Sequence, residues 1–365
     1  MATIAKYQTA KGVTLYRVRY RKPDGRQTDK RGFTTKRDAE QWANRVEVSK
    51  MAGDYVAPSL GKATVGELGP GWLDRQRGHI KPSGFRSYES AWRNHVVPQW
   101  ANTRISDIRY SHVQAWVAGL SRRLGPSMVS TVFSVLARIL DDAVRDRLLA
   151  SNPARGVKLP KRPPPHNVYL TTEQLDTLAA ESGRYGSLIL LLGVGGLRWA
   201  ETAALTVADV DFLRRRVRLH RNAVKVGGDF EVGSLKSNKN RTVVLPAFVI
   251  DALAVTAVGK VRGDLLWPSE AGGYLGPPST GSWLSGAVER CQAADETFPR
   301  VTAHDLRHTA ASLAISAGAN PKVVQRMLGH ASAAMTLDVY ADLFESDLDA
   351  VAENVGKMWE QRVVS

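Results

Sequence analysis

The sequence has one cysteine, Cys291, and its apolar stretches are short. A single cysteine excludes the intramolecular disulfide framework that is typical of small secreted proteins. The longest apolar stretch, residues 188–197, is interrupted by glycines, whereas a membrane-spanning helix needs about 18 or more apolar residues. The N-terminus also lacks the apolar core of a signal peptide. We therefore expect a cytoplasmic protein without a membrane partner.

Signals for nucleotide and metal sites are equally poor. Gly193 and Gly195 begin a G-x-G-x-x-G pattern, but Arg198 stands where the third glycine belongs, and the Lys-Ser/Thr of a P-loop is missing. His304 and His308 have the i, i+4 spacing of helical zinc ligands, yet the glutamate between them and a Cys or carboxylate cluster are absent. We expect neither a metal nor a cofactor.

Positive charge is what the chain has in excess. Its 50 Lys and Arg residues outnumber 35 Asp and Glu residues, for a formal net charge of +15. Residues 1–60 alone hold 13 basic and 6 acidic residues, a net charge of +7. Such an excess has no use in an apolar core and favours a polyanionic partner. Since nothing in the sequence is typical of a membrane protein, we expect that partner to be double-stranded DNA.

Turn and proline-rich segments predict three domains, residues 1–58, 64–160 and 166–365. The connections are the Pro and Gly segment 57–61 and the proline run 161–165. Hydrophobic periodicity predicts an α+β multidomain protein. Its parts are a small three-stranded sheet with one helix, an all-helical domain, and a mainly α domain with a small β-sheet or hairpin. In the last domain we expect helices near 172–181, 185–193 and 201–205, and strands at 216–219 and 241–245.

The first predicted domain carries a basic strand. Apolar residues at 16, 18 and 20 alternate with Arg17, Arg19 and Arg21, so one strand face presents three guanidinium groups. A turn at 23–25 leads to a second strand, and Thr35 with Asp38 is a capping signature for a helix. A basic sheet of this kind can enter the DNA major groove. The alternative is a small α/β domain with a solvated basic face.

A set of polar motifs distinguishes the third predicted domain. G-L-R-W-A-E at 196–201 contains Arg198 and Glu201, and a basic hairpin is predicted at 235–243. H-D-L-R-H follows at 304–308, L-G-H at 328–330 and T-L-D-V-Y at 336–340. His304 and Arg307 lie one helical turn apart, so both can meet one phosphate. Any single motif has an ordinary structural explanation: a surface ion pair, a solvated turn or a packing tyrosine.

In order and spacing the set closely resembles the tyrosine recombinase, or phage integrase, family. Residues 64–160 resemble that family's core-binding domain, and the first sixty resemble the arm-site-binding domain of phage and conjugative-element integrases. The resemblance implies DNA strand transfer through a 3′-phosphotyrosine without ATP or divalent metal. It further implies a homotetramer on core-type and arm-type sites, with a DNA-bending host factor and an excisionase.

The resemblance and phosphoryl-transfer chemistry together suggest a role for each residue. Tyr340 is the nucleophile, and two arginines suit the negative charge of a pentavalent transition state. The candidate catalytic residues are Arg198, Lys236, His304, Arg307, His330 and Tyr340, with His304 as base and Lys236 as acid. Glu201 and His308 are expected to orient these groups. The DNA-binding candidates are Arg17, Arg19, Arg21, Lys239 and Arg241.

Several alternatives stay open at this point. A conjugative-element integrase shares all three modules, whereas an Xer-type resolvase or a type IB topoisomerase needs no basic N-terminal module. A catalytically silent DNA-binding regulator would not need the complete set of motifs. The apolar positions at 343–359 suit docking on a neighbouring protomer or packing against their own domain.

Overall fold

A computed structural model describes residues 2–22, 25–51, 60–163, 167–233, 235 and 240–345, and positions 352, 353, 355, 356 and 359. The chain divides into two compact units, Met1–Pro164 and Pro165–Ser365. The first unit has two separate hydrophobic clusters, one in a module of a sheet and a helix and one in a helical bundle. In the described part of the chain, no helix combines the length and the apolar character that crossing a membrane requires.

The module of sheet and helix has the predicted architecture. Its antiparallel sheet has the order β1-β2-β3 and is followed by one helix. Val18 and Tyr20 are buried towards that helix, while Arg19 and Arg21 are exposed on the opposite face. The Thr35 hydroxyl accepts a hydrogen bond from the backbone N–H of Asp38 and starts the helix. The elements are β1 (Thr3–Gln8), β2 (Thr14–Arg21), β3 (Gln27–Phe33) and α1 (Lys36–Met51).

The helical bundle forms around α6, whose apolar residues recur at helical spacing and are buried along one side. A reciprocal cap between Thr64 and Glu67 starts α2. Helix α3 begins at Pro82, because proline is well suited to the first helical position. The elements are α2 (Val65–Arg77), α3 (Pro82–Ala91), a π-helical turn (Trp92–Val96), α4 (Val97–Trp100), α5 (Tyr110–Ser121) and α6 (Pro126–Arg145).

The second unit is mainly helical with small antiparallel sheets, as predicted. Its helices are α7 (Thr172–Glu181), α8 (Gly186–Gly195), α9 (Trp199–Thr202), α10 (Ala247–Ala257), α11 (Trp283–Ala294), α12 (Ala303–Ser316), α13 (Pro321–Leu328) and α14 (Ala333–Glu345). Its strands are β4 (Val210–Asp211), β5 (Arg216–Leu219), β6 (Asn222–Val226), β7 (Asp229–Gly233) and β8 (Arg241–Val244). Helix α8 is apolar on all sides and lies in the core against α7, α10 and α12.

The hairpin predicted at 235–243 is wrong. The strands that flank this segment belong to different sheets, because β7 pairs with β6 while β8 pairs with β5. Val243 pairs with Val217, and both residues are buried. Strand β8 therefore buries its apolar side by pairing with β5 in the core sheet and not with β7. Lys236 and Lys239 lie outside the described residues.

Candidate active site

The turn after α8 places Arg198. Gly196 ends the helix with a φ of 66°, and a Cβ there would stand 2.6 Å from a Leu328 methyl group. Arg198 is the N-terminal cap of α9, and its backbone N–H donates to Glu201 Oε2 at 2.9 Å. Its side-chain Nη1 donates to Glu201 Oε1 at 3.0 Å. The G-L-R-x-x-E motif is therefore a turn in which the glutamate fixes both ends of the arginine.

The second arginine, Arg307 on α12, lies almost fully buried beside this turn. Its side chain donates to the carbonyl oxygens of Gly196 and Leu328, the second at 2.7 Å. Arg198 Nη2 donates to the next carbonyl, that of Gly329, at 3.3 Å. Burial, followed by the nearby charge of Arg198, lowers the pKa of Arg307 below its ordinary value. The two arginines thus meet at the C-terminus of α13, whose free carbonyls carry partial negative charge.

Arg241, for which we expect a DNA contact, has several protein partners in the structure. Its guanidinium donates to both carboxylate oxygens of Glu201, at 2.8 and 2.7 Å, and its side chain is 11% exposed. Burial disfavours ionisation of Glu201, but the hydrogen bonds and charges of Arg241 and Arg198 hold its pKa below the ordinary value. Since a buried carboxylate needs a partner, this pairing stabilises Glu201 in its ionised form.

His330 follows the αL residue Gly329 that ends α13. Its Nδ1 lies 3.0 Å from the hydroxyl of Thr336, a residue that is fully buried. Burial, with the charges of Arg307 and Arg198, lowers the pKa of His330 to about 4. His330 is therefore neutral at neutral pH, and its Nδ1 faces Thr336.

Two histidines of α12 complete the group. His304 and His308 lie one turn apart with ring centroids 4.8 Å from each other. Burial lowers the pKa of both, aided by Arg307 at His304 and by His304 at His308. His304 is exposed and His308 is half-buried. Both rings are thus predominantly neutral at neutral pH, which a proton acceptor requires.

Tyr340 is buried at the centre of these residues, with 1% of its surface exposed. Its hydroxyl lies 2.8 Å from Nδ1 of His308, and its ring stacks on His330 at 6.4 Å between centroids. The backbone at Tyr340 departs from helical geometry inside α14. Burial raises the pKa of Tyr340 to about 12, although the charge of Arg307 opposes that shift. In this arrangement the phenol is protonated and shielded from solvent.

The structure brings together most of the residues that the motifs singled out. The contacts described above connect six of them, and His304 adjoins His308. The six are Arg198, Glu201, Arg307, His308, His330 and Tyr340. Lys236 and Lys239 lie outside the described residues, and Arg17, Arg19 and Arg21 belong to the separate module in the first unit. The described residues contain no group of three or more His, Cys, Asp or Glu that could hold a metal ion.

Thr336 and Arg241 have positions that the motifs did not anticipate. Thr336 stands in the T-x-x-x-Y motif, four residues before the tyrosine. Its place in that motif was the available signal for a role in the site, but the motif does not indicate its contact with His330. For Arg241 the sequence offered only a basic strand. Its pairing with Glu201 joins residues that are 40 positions apart.

Comparisons with known proteins indicate the family of this chain. Residues 169–346 match the phage integrase family, and residues 64–121 match the phage integrase N-terminal SAM-like domain. A putative prophage phiRv2 integrase of Mycobacterium tuberculosis is 30% identical over 88% of this chain and 87% of its own length.

Two solved structures have a similar fold. A Tn1549 transposon integrase in complex with DNA matches 79% of this chain and 99% of its own, with a TM-score of 0.68 and 20% identity. A lambda integrase tetramer bound to a Holliday junction matches 90% and 95%, with a TM-score of 0.58 and 16% identity. With its two matched domains and its prophage relative, the chain belongs to the phage integrase family of tyrosine recombinases.

Proposed function

We propose that the protein is an integrase that cleaves and rejoins DNA at attachment sites, and so inserts a phage or related mobile element. The observation that carries this proposal is the convergence of Arg198, Arg307, His330 and Tyr340 at the C-terminal end of α13. Paired guanidinium groups suit the non-bridging oxygens of a phosphodiester, and a tyrosine beside them suits covalent attack.

In the proposed reaction, the Tyr340 oxygen attacks phosphorus and forms a 3′-phosphotyrosine, while the bond to the 5′ oxygen breaks. Arg198 and Arg307 stabilise the negative charge on the non-bridging oxygens of the pentavalent transition state, and His330 donates a hydrogen bond to one of these oxygens. Attack by the 5′-hydroxyl of the partner strand reverses these steps and releases the tyrosine. The phosphodiester energy stays in the covalent link, so the cycle needs no ATP.

Proton transfer is assigned to two further residues. His304 is the candidate base because its ring is exposed, whereas His308 holds the phenol in the DNA-free arrangement. A 5′ alkoxide is a poor leaving group, so a proton must reach it, and Lys236 is the candidate acid. Buried Leu235 and the Glu201-bound Arg241 flank the segment that carries this lysine.

Assembly on DNA is proposed at a coarser level. Four protomers would pair two core-type sites, in keeping with the tetramer of the lambda integrase, and the N-terminal module would read separate arm-type sites. Its basic sheet face favours an integrase over an Xer-type resolvase, and the integrase of a conjugative element stays a candidate. We propose three domains at 1–58, 64–160 and 166–365, with a DNA-bending host factor and an excisionase as partners. We also propose that the reaction takes place in the cytoplasm of a bacterial host cell, in association with the nucleoid.

A core-site duplex with a nick beside the scissile phosphate tests the proposal. Loss of the short downstream strand traps the covalent complex, which denaturing electrophoresis separates from free protein. We expect an adduct in the presence of EDTA. Tyr340→Phe should abolish it, and Tyr110→Phe, which alters an exposed tyrosine of α5, should preserve it. An undiminished adduct with Tyr340→Phe would rule out the assigned nucleophile.

A further inference from the structure

Arg241 contacts several parts of the candidate active site. Besides its two bonds to Glu201, its Nε donates to the carbonyl oxygen of Met327 at 3.3 Å. The guanidinium also lies against Gly329, where a Cβ would stand 3.0 Å from its Cδ, Nε and Cζ atoms. One side chain from β8 therefore touches both the glutamate of α9 and the turn that precedes His330.

Glu201 connects Arg241 with Arg198, because its carboxylate accepts hydrogen bonds from both arginines. Both carboxylate oxygens accept from Arg241, and each also accepts one bond from Arg198. The Glu201 side chain is 3% exposed, so water does not compete for these oxygens. If Arg241 were lost, the carboxylate would keep only its Arg198 bonds and could rotate towards that guanidinium. The orientation of Arg198 thus depends on Arg241 through the carboxylate that both residues bond.

The turn before His330 is held by three arginines in register. Arg241 binds the carbonyl of Met327, Arg307 that of Leu328 and Arg198 that of Gly329. These successive carbonyls lie at a helix C-terminus, where unpaired oxygens favour cationic partners. Removing Arg241 would free the first of the three and loosen the segment that aims the imidazole of His330.

We infer that Arg241 is a positioning residue for strand cleavage, which keeps Arg198 and the turn before His330 in their relative positions. The inference rests on the proposed cleavage by Tyr340. Displacing a reacting group by about 1 Å can cost roughly 100-fold in rate, so a shifted arginine fork should slow the chemistry and spare DNA affinity. A direct phosphate contact would have the opposite effect, since losing it lowers affinity first.

Single-turnover cleavage of the nicked duplex at saturating protein, with Kd measured separately, distinguishes a positioning role of Arg241 from a direct phosphate contact. Arg241→Gln should cleave about 10- to 100-fold more slowly, with Kd within about twofold of wild type. Arg241→Lys should fall almost as far because an ammonium group cannot replace the bidentate fork. Arg290→Gln is the matched control, since it breaks an exposed pair with Glu181 in the same unit, and it should retain the wild-type rate.

Two further measurements separate positioning from a general loss of structure. Guanidinium or ethylguanidinium ion should restore cleavage by Arg241→Ala, whereas a misfolded protein would not recover. The double variant Arg241→Gln with Glu201→Gln should lose less than the sum of the two single losses, because the two residues share one ion pair. If Arg241→Gln fails to fold, Arg241→Lys, which keeps a cation beside Glu201, provides the comparison of rate and Kd.

Three results would overturn the inference: a wild-type rate for Arg241→Gln, a higher Kd with an unchanged rate at saturation, or additive losses in the double variant. These differ from failure of the proposed function. If the wild-type protein forms no adduct, the cleavage assignment fails; if it does and Arg241→Gln matches it, only the role of Arg241 is wrong.

Discussion

The phenolic oxygen of Tyr340 lies 2.8 Å from Nδ1 of His308, and the tyrosine side chain is shielded from solvent. A phosphodiester cannot reach an oxygen in this position, so the DNA-free protein keeps its candidate nucleophile protonated and inaccessible. The proposed attack therefore requires Tyr340 to move away from His308 first. The contact stabilises the fold at the same time, which makes it measurable without DNA.

Tyr340→Phe should lower the free energy of unfolding by about 1 kcal/mol at pH 8, because it leaves the His308 nitrogen without its partner. The pH dependence has a definite sign. The pKa of Tyr340 rises from about 10 in the unfolded chain to about 12 in the folded one, so its stabilising contribution is complete below pH 10 and is lost as pH rises towards 12. Urea unfolding at pH 8 to 11 should show the wild-type advantage shrinking.

Tyr110→Phe is the control for that series, since its hydroxyl contacts Gln114 at an exposed position of α5. Its unfolding free energy should stay within about 0.5 kcal/mol of wild type. Equal effects of the two substitutions would contradict the buried Tyr340–His308 contact.

His330 predicts a loss of stability in acid. Its pKa of about 4 in the folded protein lies below the value of about 6.5 expected for the unfolded chain. Its contribution is therefore present above pH 6.5 and is lost as pH falls towards 4. His330→Gln removes this titration, so the wild-type protein should lose about 1 to 2 kcal/mol more than the variant between pH 7 and pH 5.

Urea unfolding at the two pH values measures the His330 effect, with exposed His112→Gln as control. The control should lose as much stability in acid as the wild type. The burial of His330 would be disproved if the His330→Gln and wild-type proteins had parallel pH profiles.

Much of the fold could be predicted because local signals agree with tertiary packing. Helix α7 occupies the predicted residues 172–181, since a capping box between Thr171 and Gln174 fixes its start. The strand at 216–219 is likewise confirmed, its buried residues alternating with exposed ones. Strand pairing was harder, because β8 carries an apolar pattern that fits any core sheet, and the choice of β5 depends on packing far along the chain.

The sequence motifs named most side chains of the candidate site, but they did not predict the hydrogen-bond partners of those side chains. Arg198 and Arg307 bind backbone carbonyls, and a carbonyl acceptor has no signature in the sequence. The positive charge of Arg241 indicated a DNA contact. Its partner Glu201 could be identified only from the structure, in which the start of β8 lies beside α9. The burial of Tyr340 has the same origin, since it depends on α12 and α14 meeting.

The basic face of β2 predicts a salt-dependent affinity for arm-type DNA. Replacing Arg17, Arg19 and Arg21 together with glutamine should weaken arm-site binding and reduce the slope of log K against log salt by about 3, or roughly one unit per lost phosphate contact. Core-site cleavage should persist. Fluorescence anisotropy with separate arm and core duplexes over a salt series measures both effects.

A charge-matched triple variant in α1, with Lys36, Arg37 and Arg45 replaced by glutamine, is the control for the strand variant. These three residues are exposed on the helix that covers the other face of the sheet. Their loss should reduce the slope less than the loss of the strand arginines. Equal reductions would show that the module binds by net charge alone.

The assignment of Lys236 as acid predicts rescue by a better leaving group. Lys236→Ala should slow cleavage of an ordinary core duplex by about 100-fold or more, which is the usual effect of losing a general acid. When sulfur replaces the bridging 5′ oxygen at the scissile phosphate, the departing thiolate needs no proton, so wild type and variant should cleave at similar rates. Arg198→Lys is the counterpart, because its defect lies in stabilising charge on the non-bridging oxygens and should survive the sulfur substitution. Single-turnover rates on the two duplexes give the comparison, and a Lys236→Ala defect of equal size on both would remove Lys236 from proton transfer.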